Sequence, residues 1–108
     1  MIARFWSAQT TPALSDAYLH HFEQTVQPQL QRLDGFLGVT VCTRPLPGKV
    51  EIVVTTYWKS FAAIDNFAGA DRESAVVAPE AAALLTDFDK RVRHYEVPLA
   101  EFPQITAG

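Results

Sequence analysis

One cysteine, Cys42, in a chain of 108 residues excludes an internal disulfide. It lies in an apolar, strand-like stretch where a thiol acts as a small hydrophobe, and nothing nearby would lower its pKa for catalysis. Lys and Arg number nine against twelve Asp and Glu, for a formal net charge of −3, and they form no run. Without a concentrated positive face, neither nucleic acid nor an acidic membrane surface is an expected partner. The five glycines are scattered at turns, so no phosphate-cradling loop is available to a nucleotide cofactor. No G-x-S-x-G elbow accompanies the serines, which sit at caps or strand ends. His20, His21 and His94 come without an HExxH, a CxxC or spaced carboxylates, so no metal site is expected. His20 and His21 are neighbours on a helix and point about 100° apart, which prevents them from acting as a ligand pair. The opening MIARFWSAQ has no long apolar run and no small-residue cleavage site; the expectation is a cytoplasmic protein without signal peptide or membrane span.

What remains is the composition of an ordinary folded domain, 48% hydrophobic and 19% charged, with room for one core. The first nine residues alternate as a strand, with Ile2, Arg4 and Trp6 on one face and Ala3, Phe5 and Ser7 on the other. Thr11 and Pro12 read as an N-cap and a proline at the first helical position. Leu14, Tyr18, Phe22, Val26, Leu30 and Leu33 then form one helical stripe. Pro28 should kink this helix or break it one turn early, and Asp34-Gly35 ends it. Strands are expected over 36–43 and 50–58, joined by the Pro- and Gly-containing loop RPLPGK. Tyr57 to Gly69, YWKSFAAIDNFAG, carries a strand ending in Trp58 straight into a helix capped by Ser60, with Phe61, Ile64 and Ala68 at helical spacing. Short helical turns broken at Pro79 follow, then a strand over 89–97 with Val92, His94 and Glu96 on one face.

The order β-α-β-β-α-β is that of an α+β, ferredoxin-like domain: an antiparallel sheet with helices on one face. Both faces of the third strand are apolar, Ile52 and Val54 on one side, Val53 and Tyr57 on the other. Helices cover only one of them, so a homodimer formed by sheet packing is expected. The domain should span 1–97, leaving 98–108 as an irregular tail that could lie over the neighbouring subunit.

Arg4, Trp6, Trp58, Asn66 and His94, with Tyr18 from the helix side, could converge between sheet and helices. Trp58 is placed either to floor a pocket or to sit in the core as an ordinary buried tryptophan, and His21 borders the apolar stripe within reach of the sheet. Such a set suits a flat, apolar, oxygen-bearing ligand, stacked by rings and oriented by a few polar groups; it suits an ordinary core edge equally well.

MIARFW, DGFLGV, YWKSFAAIDNFAG with the following DRESAVVAPEA, and VRHYEV together resemble the antibiotic biosynthesis monooxygenase family, in the right order over residues 1 to about 97. The resemblance implies a ferredoxin-like fold, a dimeric α/β barrel and a ligand held between sheet and helices of each subunit. The family includes quinone-forming monooxygenases that oxidise polycyclic phenols without metal or flavin, and heme-degrading monooxygenases. Trp58 resembles the pocket tryptophan of the quinone-forming enzymes, while their asparagine and tyrosine are replaced by Val54 and Ile64. For the heme-degrading type, Phe67 falls at the helix tryptophan and Val77 near the axial histidine, which disfavours heme degradation. The implied activity is a monooxygenase without cofactor acting on a small aromatic quinone precursor. Residue type then makes His94 the candidate base that deprotonates substrate and Arg4 the candidate stabiliser of the oxyanion, the alternative for His94 being a structural hydrogen-bonding group. Trp58, Trp6, Tyr18, His21, Asn66 and Phe67 would contact the ligand. The alternatives are a non-catalytic dimeric barrel that binds a small apolar molecule, and a purely structural role.

Overall fold

The computed structural model describes residues 1–102; the remainder of the 98–108 tail lies outside the described residues. The elements are β1 (Ile2–Thr10), α1 (Pro12–His21), a π turn (Phe22–Val26), α2 (Gln27–Gln31), β2 (Phe36–Leu46), β3 (Lys49–Trp58), α3 (Phe61–Ala68), α4 (Pro79–Ala82), β4 (Asp87–Phe88) and β5 (Arg93–Glu96). Every strand pair is antiparallel, in the order β2-β3-β1, with β4 and β5 both on the free side of β1. This is the ferredoxin-like arrangement expected from the element order.

The edge strand is interrupted where the sequence predicts one continuous strand. Three steps along β1, from Ala8 to Phe5, face five steps from Phe88 to Arg93. The intervening residues turn to the stretch after α3: the Val92 N–H donates to the Glu73 carbonyl at 2.8 Å and the Ala75 N–H to the Lys90 carbonyl at 3.0 Å. An excess of two residues keeps the alternation of faces, so Val92 and His94 still point toward the helices.

Thr11 caps α1, its hydroxyl accepting the Leu14 N–H at 3.2 Å. Of the two outcomes expected at Pro28, a kink or an early break, the chain does not break: regular α-helix gives way to an irregular turn ahead of the proline and then resumes. A π turn immediately precedes it, with the Gln27 N–H reaching back to the Phe22 carbonyl. Proline lacks an N–H and crowds the carbonyl four residues back; the widened turn absorbs both defects, and helix continues to Gln31. Gly35 turns the chain with φ of 84°, where a Cβ would stand 2.5 Å from that of Ala63. Strand β2 runs on to Leu46, beyond the expected end, because Pro47 and Gly48 alone make the turn. Gly48, with φ of 72°, follows the proline as in a type II turn. Ser60 caps α3 as expected, accepting the Ala63 N–H at 3.2 Å. Pro79 opens α4 at its first position rather than breaking a helix.

Ile52, Trp58 and Ile64 are fully buried at the centre of the core, between the sheet and the helices. The opposite face carries Ala3, Phe5, Val53, Thr55 and Tyr57, and the Phe102 ring packs edge-on against Tyr57 at 5.8 Å. Among the described residues no helix is long and apolar enough to cross a membrane.

Candidate functional site

Strand alternation sends the even-numbered residues of β1 and β3 toward the helices, where a cavity of about 90 Å³ lies. Its floor is Arg4 and Trp6 from β1 with Val54 and Thr56 from β3. Tyr18, Phe22, Val26 and Leu30 form the roof, and Phe67 of α3 closes one side. The chain between α3 and α4 completes it with Val76, Val77 and Ala78. Most of this wall is hydrocarbon.

The polar part is organised by one row across the sheet. Arg4 pairs with His94 on one side and Thr56 on the other, and all three face the helices. Only 4% of Arg4 is exposed. Its Nη1 donates to the Arg72 carbonyl and lies 2.9 Å from His94 Nε2, while Nη2 donates to the Ser74 carbonyl at 2.8 Å. No carboxylate is among these partners, so the buried charge is met by neutral groups alone. Burial pushes the Arg4 pKa down to about 10, which leaves it cationic at neutral pH. A guanidinium has five N–H groups; three are engaged, leaving Nε–H and one Nη2–H without a protein acceptor among the described residues.

His94 serves Arg4 rather than the cavity. Because the guanidinium can only donate, Nε2 accepts and the ring proton resides on Nδ1. Burial first, then the Arg4 charge, hold the imidazole below its ordinary pKa, against weaker opposing effects of Glu73 and Asp65. The ring meets Phe61 edge-on at 5.8 Å and does not line the cavity. Outside it, Arg72 is clamped to Asp65 by two hydrogen bonds of 2.8 Å and lies over the Phe61 ring at 4.4 Å, fixing the carbonyl that Arg4 uses. That pairing holds the Asp65 carboxyl below its usual range.

Trp58 is fully buried and is not part of the cavity wall. Its indole stacks on Phe67, with centroids 5.2 Å apart, and its N–H donates to Thr56 Oγ1 at 2.8 Å. Trp6 does line the cavity, with its own N–H donated to the Asp89 carbonyl at 2.9 Å. Tyr18 is in the roof; burial pushes its pKa up to about 12, so it stays protonated, and no group among the described residues hydrogen-bonds its hydroxyl. Asn66 is exposed on α3 and points away. His21 lies outside the wall, with a buried Nε2 that finds no partner among the described residues. The structure therefore brings together Arg4, Trp6, Tyr18 and Phe67 at the cavity, and sets His94, Trp58, His21 and Asn66 apart from it.

Thr56 escaped the sequence reading. Its signal was available: two residues before Trp58 on a strand whose even positions are otherwise apolar, a lone hydroxyl has to find a partner. Together the wall offers a cation and hydroxyl donors, and no carboxylate or imidazole. Such a lining receives a flat apolar body that carries an acceptor oxygen, preferably a negative one.

The protein-family model described as antibiotic biosynthesis monooxygenase matches residues 1–79. No match to a curated protein sequence reaches significance. Among solved structures, a monooxygenase from the ActVA-Orf6 gene of Streptomyces coelicolor, in complex with nanaomycin D, has a TM-score of 0.66 at 19% identity, covering 95% of this chain and 92% of its own. The heme-degrader MhuD from Mycobacterium tuberculosis, with two hemes bound in its active site, has a TM-score of 0.60 at 22% identity over 94% of this chain and 100% of its own. A protein of unknown function from Nitrosomonas europaea has a TM-score of 0.61 at 17% identity over 95% and 94%. At such identities the likeness concerns the fold. A heme does not fit the residues present here. The wall holds no His, Cys or Met for the iron, Tyr18 keeps its proton, His94 Nε2 is taken by Arg4, and about 90 Å³ falls well short of the roughly 300–1,000 Å³ of pockets for sizeable ligands. With the family match over residues 1–79 and the fold shared throughout, the chain belongs to the antibiotic biosynthesis monooxygenase family.

Proposed function

We propose that the protein is a cofactor-independent monooxygenase that oxidises a small phenol to a quinone in the cavity between sheet and helices. The observation that carries this reading is Arg4: a buried cation without a carboxylate partner among the described residues, in the wall of an apolar cavity, in a chain of this family. A guanidinium that desolvated favours the ionised form of a phenol beside it, so the phenolate forms with its proton released to water and needs no protein base. The electron-rich phenolate passes an electron to dioxygen, and the two radicals join at a ring carbon as a hydroperoxide. Loss of water leaves a carbonyl. One oxygen atom ends in the quinone and the other in water, and the substrate supplies all four electrons, so no reductant is called for. The apolar walls keep water from the reactive anion.

Homodimerisation belongs to the same reading. Phe5, Val53 and Tyr57 on the face away from the helices favour a second copy packing there, with 1–97 as the domain and the tail beside the interface.

A second reading, a dimeric binder of small aromatic anions without oxygen chemistry, is favoured by the apolar Val54 in the floor and the buried Ile64, where the quinone-forming enzymes of the family carry polar side chains. Oxygen uptake by metal-free protein with a panel of phenols, hydroquinones and anthrones separates the two. Uptake of one dioxygen per quinone, lost in Arg4→Gln, is the expected result. Ligand binding without uptake above the blank across the panel would establish the binder instead.

A further inference from the structure

The Trp58 indole N–H is donated to a cavity residue. An indole N–H is a donor and nothing else, so at the 2.8 Å contact Thr56 Oγ1 must accept. A hydroxyl that accepts from a fixed donor has its own proton left to give, and the Thr56 side chain lines the cavity. Thr56 is also the direct cross-strand neighbour of Arg4 on the same face, a position that places Cβ atoms about 4.5–5.5 Å apart. Arg4 has two N–H groups without an acceptor among the described residues, and it too lines the cavity. A guanidinium fork and a hydroxyl proton therefore stand side by side in an otherwise hydrocarbon floor, both committed to donating. Size bounds what they receive. An enclosed apolar cavity of about 150 Å³ holds one benzene ring; this one measures about 90 Å³ and is open at its mouth, so a single ring, seated with part of its edge in the mouth, is the most it takes.

We propose that Thr56 contacts the ligand as a second donor beside Arg4, that Trp58 is the positioning residue that directs the Thr56 proton into the cavity, and that the pair selects single-ring ligands with an anionic ring oxygen. This rests on the reading of the cavity as a site for phenols, and it narrows that class in two ways. A second fused ring finds no room in a site of about 90 Å³, and neutral rings without an acceptor leave two desolvated donors unpaired.

The test is binding, without turnover, of 4-nitrophenol, whose yellow anion reports its own ionisation and whose ring is too electron-poor to give an electron to oxygen. Wild type should bind the anion and raise its ionised fraction at fixed pH. Thr56→Val, nearly isosteric, should weaken binding about ten- to a hundredfold, the range for a hydrogen bond to a charged group, and Thr56→Ser should restore most of it. Trp58→Phe keeps a ring on Phe67 but removes the N–H; it should weaken binding in the Thr56 background and do nothing further in Thr56→Val, a coupling that a merely structural tryptophan does not produce. Equal affinity in wild type and a folded Thr56→Val protein, or no binding of the anion by wild type, would overturn the proposal. Should Thr56→Val not fold, Trp58→Phe against wild type decides, with unchanged affinity as the negative result. Oxygen uptake plays no part here, so absence of turnover with intact, Thr56-dependent binding would remove the monooxygenase reading and leave this one standing.

Discussion

Arg4 Nη1 and His94 Nε2 lie 2.9 Å apart, and a guanidinium at that distance can only be the donor. The imidazole is thereby enlisted as a neutral acceptor for a buried cation. The sequence reading of His94 as a base rested on its intrinsic pKa; in the fold its lone pair faces a positive charge that resists a second one.

Stability should therefore depend on pH through His94. Its pKa in the fold is below the ordinary 6.5, held there by burial, Arg4 and Arg72 against the weaker pull of Glu73 and Asp65. The unfolded chain takes up a proton first, so the contribution of His94 is complete above about pH 6.5 and is lost as pH falls from there toward the folded value. His94→Gln keeps an acceptor for Arg4 and removes the titration. Urea midpoints between about pH 7.5 and about pH 5 should fall more steeply for wild type than for this variant, ahead of the acid losses of Asp65 and Asp71, whose lowered pKa values act below 3.8. Parallel curves would remove the Arg4–His94 linkage.

Gly35 should resist substitution. It holds φ at 84°, and an added Cβ would stand 2.5 Å from that of Ala63, well inside contact distance. Gly35→Ala combines backbone strain with a clash against α3 and should cost about 2–4 kcal/mol in chemical denaturation. A loss below about 0.5 kcal/mol would mean that the helix end and α3 separate easily.

Ile64 offers a measure of core rigidity next to the site. It is fully buried, so Ile64→Ala should destabilise by about 2–5 kcal/mol. Ile64→Tyr, which introduces the tyrosine that the family resemblance implies at this position, should also destabilise, by about 1–3 kcal/mol, since the position is in the core and not in the cavity wall. Gain of activity in Ile64→Tyr without loss of stability would show that this ring finds the cavity.

Val53 stands opposite Ser7 and Cys42 in the middle of the sheet face away from the helices. A charge there is buried only if a second copy covers it. Val53→Glu should convert a dimer into a monomer in sedimentation velocity while leaving the far-ultraviolet circular dichroism unchanged. Retention of the wild-type mass would place the interface elsewhere.

The caps and alternation of this chain were legible because each depends on a few neighbouring residues: Thr11-Pro12, Ser60 and the even positions of β1 all emerge as read. Longer-range competition hid the rest. The edge strand looked continuous until Glu73 and Ala75 drew Val92 and Lys90 away from β1, and Pro28 announced a kink or a break without showing that a widened turn before it would let the helix resume. At the site, composition picked out the aromatic and polar residues but not their direction. Trp58 could be read as pocket floor or as core, and the fold puts it in the core behind Phe67 and Thr56. Thr56 went unnoticed, because its importance comes from standing opposite Arg4, a relation that strand register alone reveals.

The wide turn at Phe22–Val26 also sets the helical clock. Residues spaced by four on a regular α-helix overshoot a full turn by about 40° at each step, so Tyr18 and Leu30 would diverge by about 120°. One additional residue absorbed in the turn winds back about 100° of that drift. Tyr18, Phe22, Val26 and Leu30 consequently look down on the same patch of sheet, and a segment that first presents itself as a repair around a proline is also the device that gives the cavity a continuous ceiling.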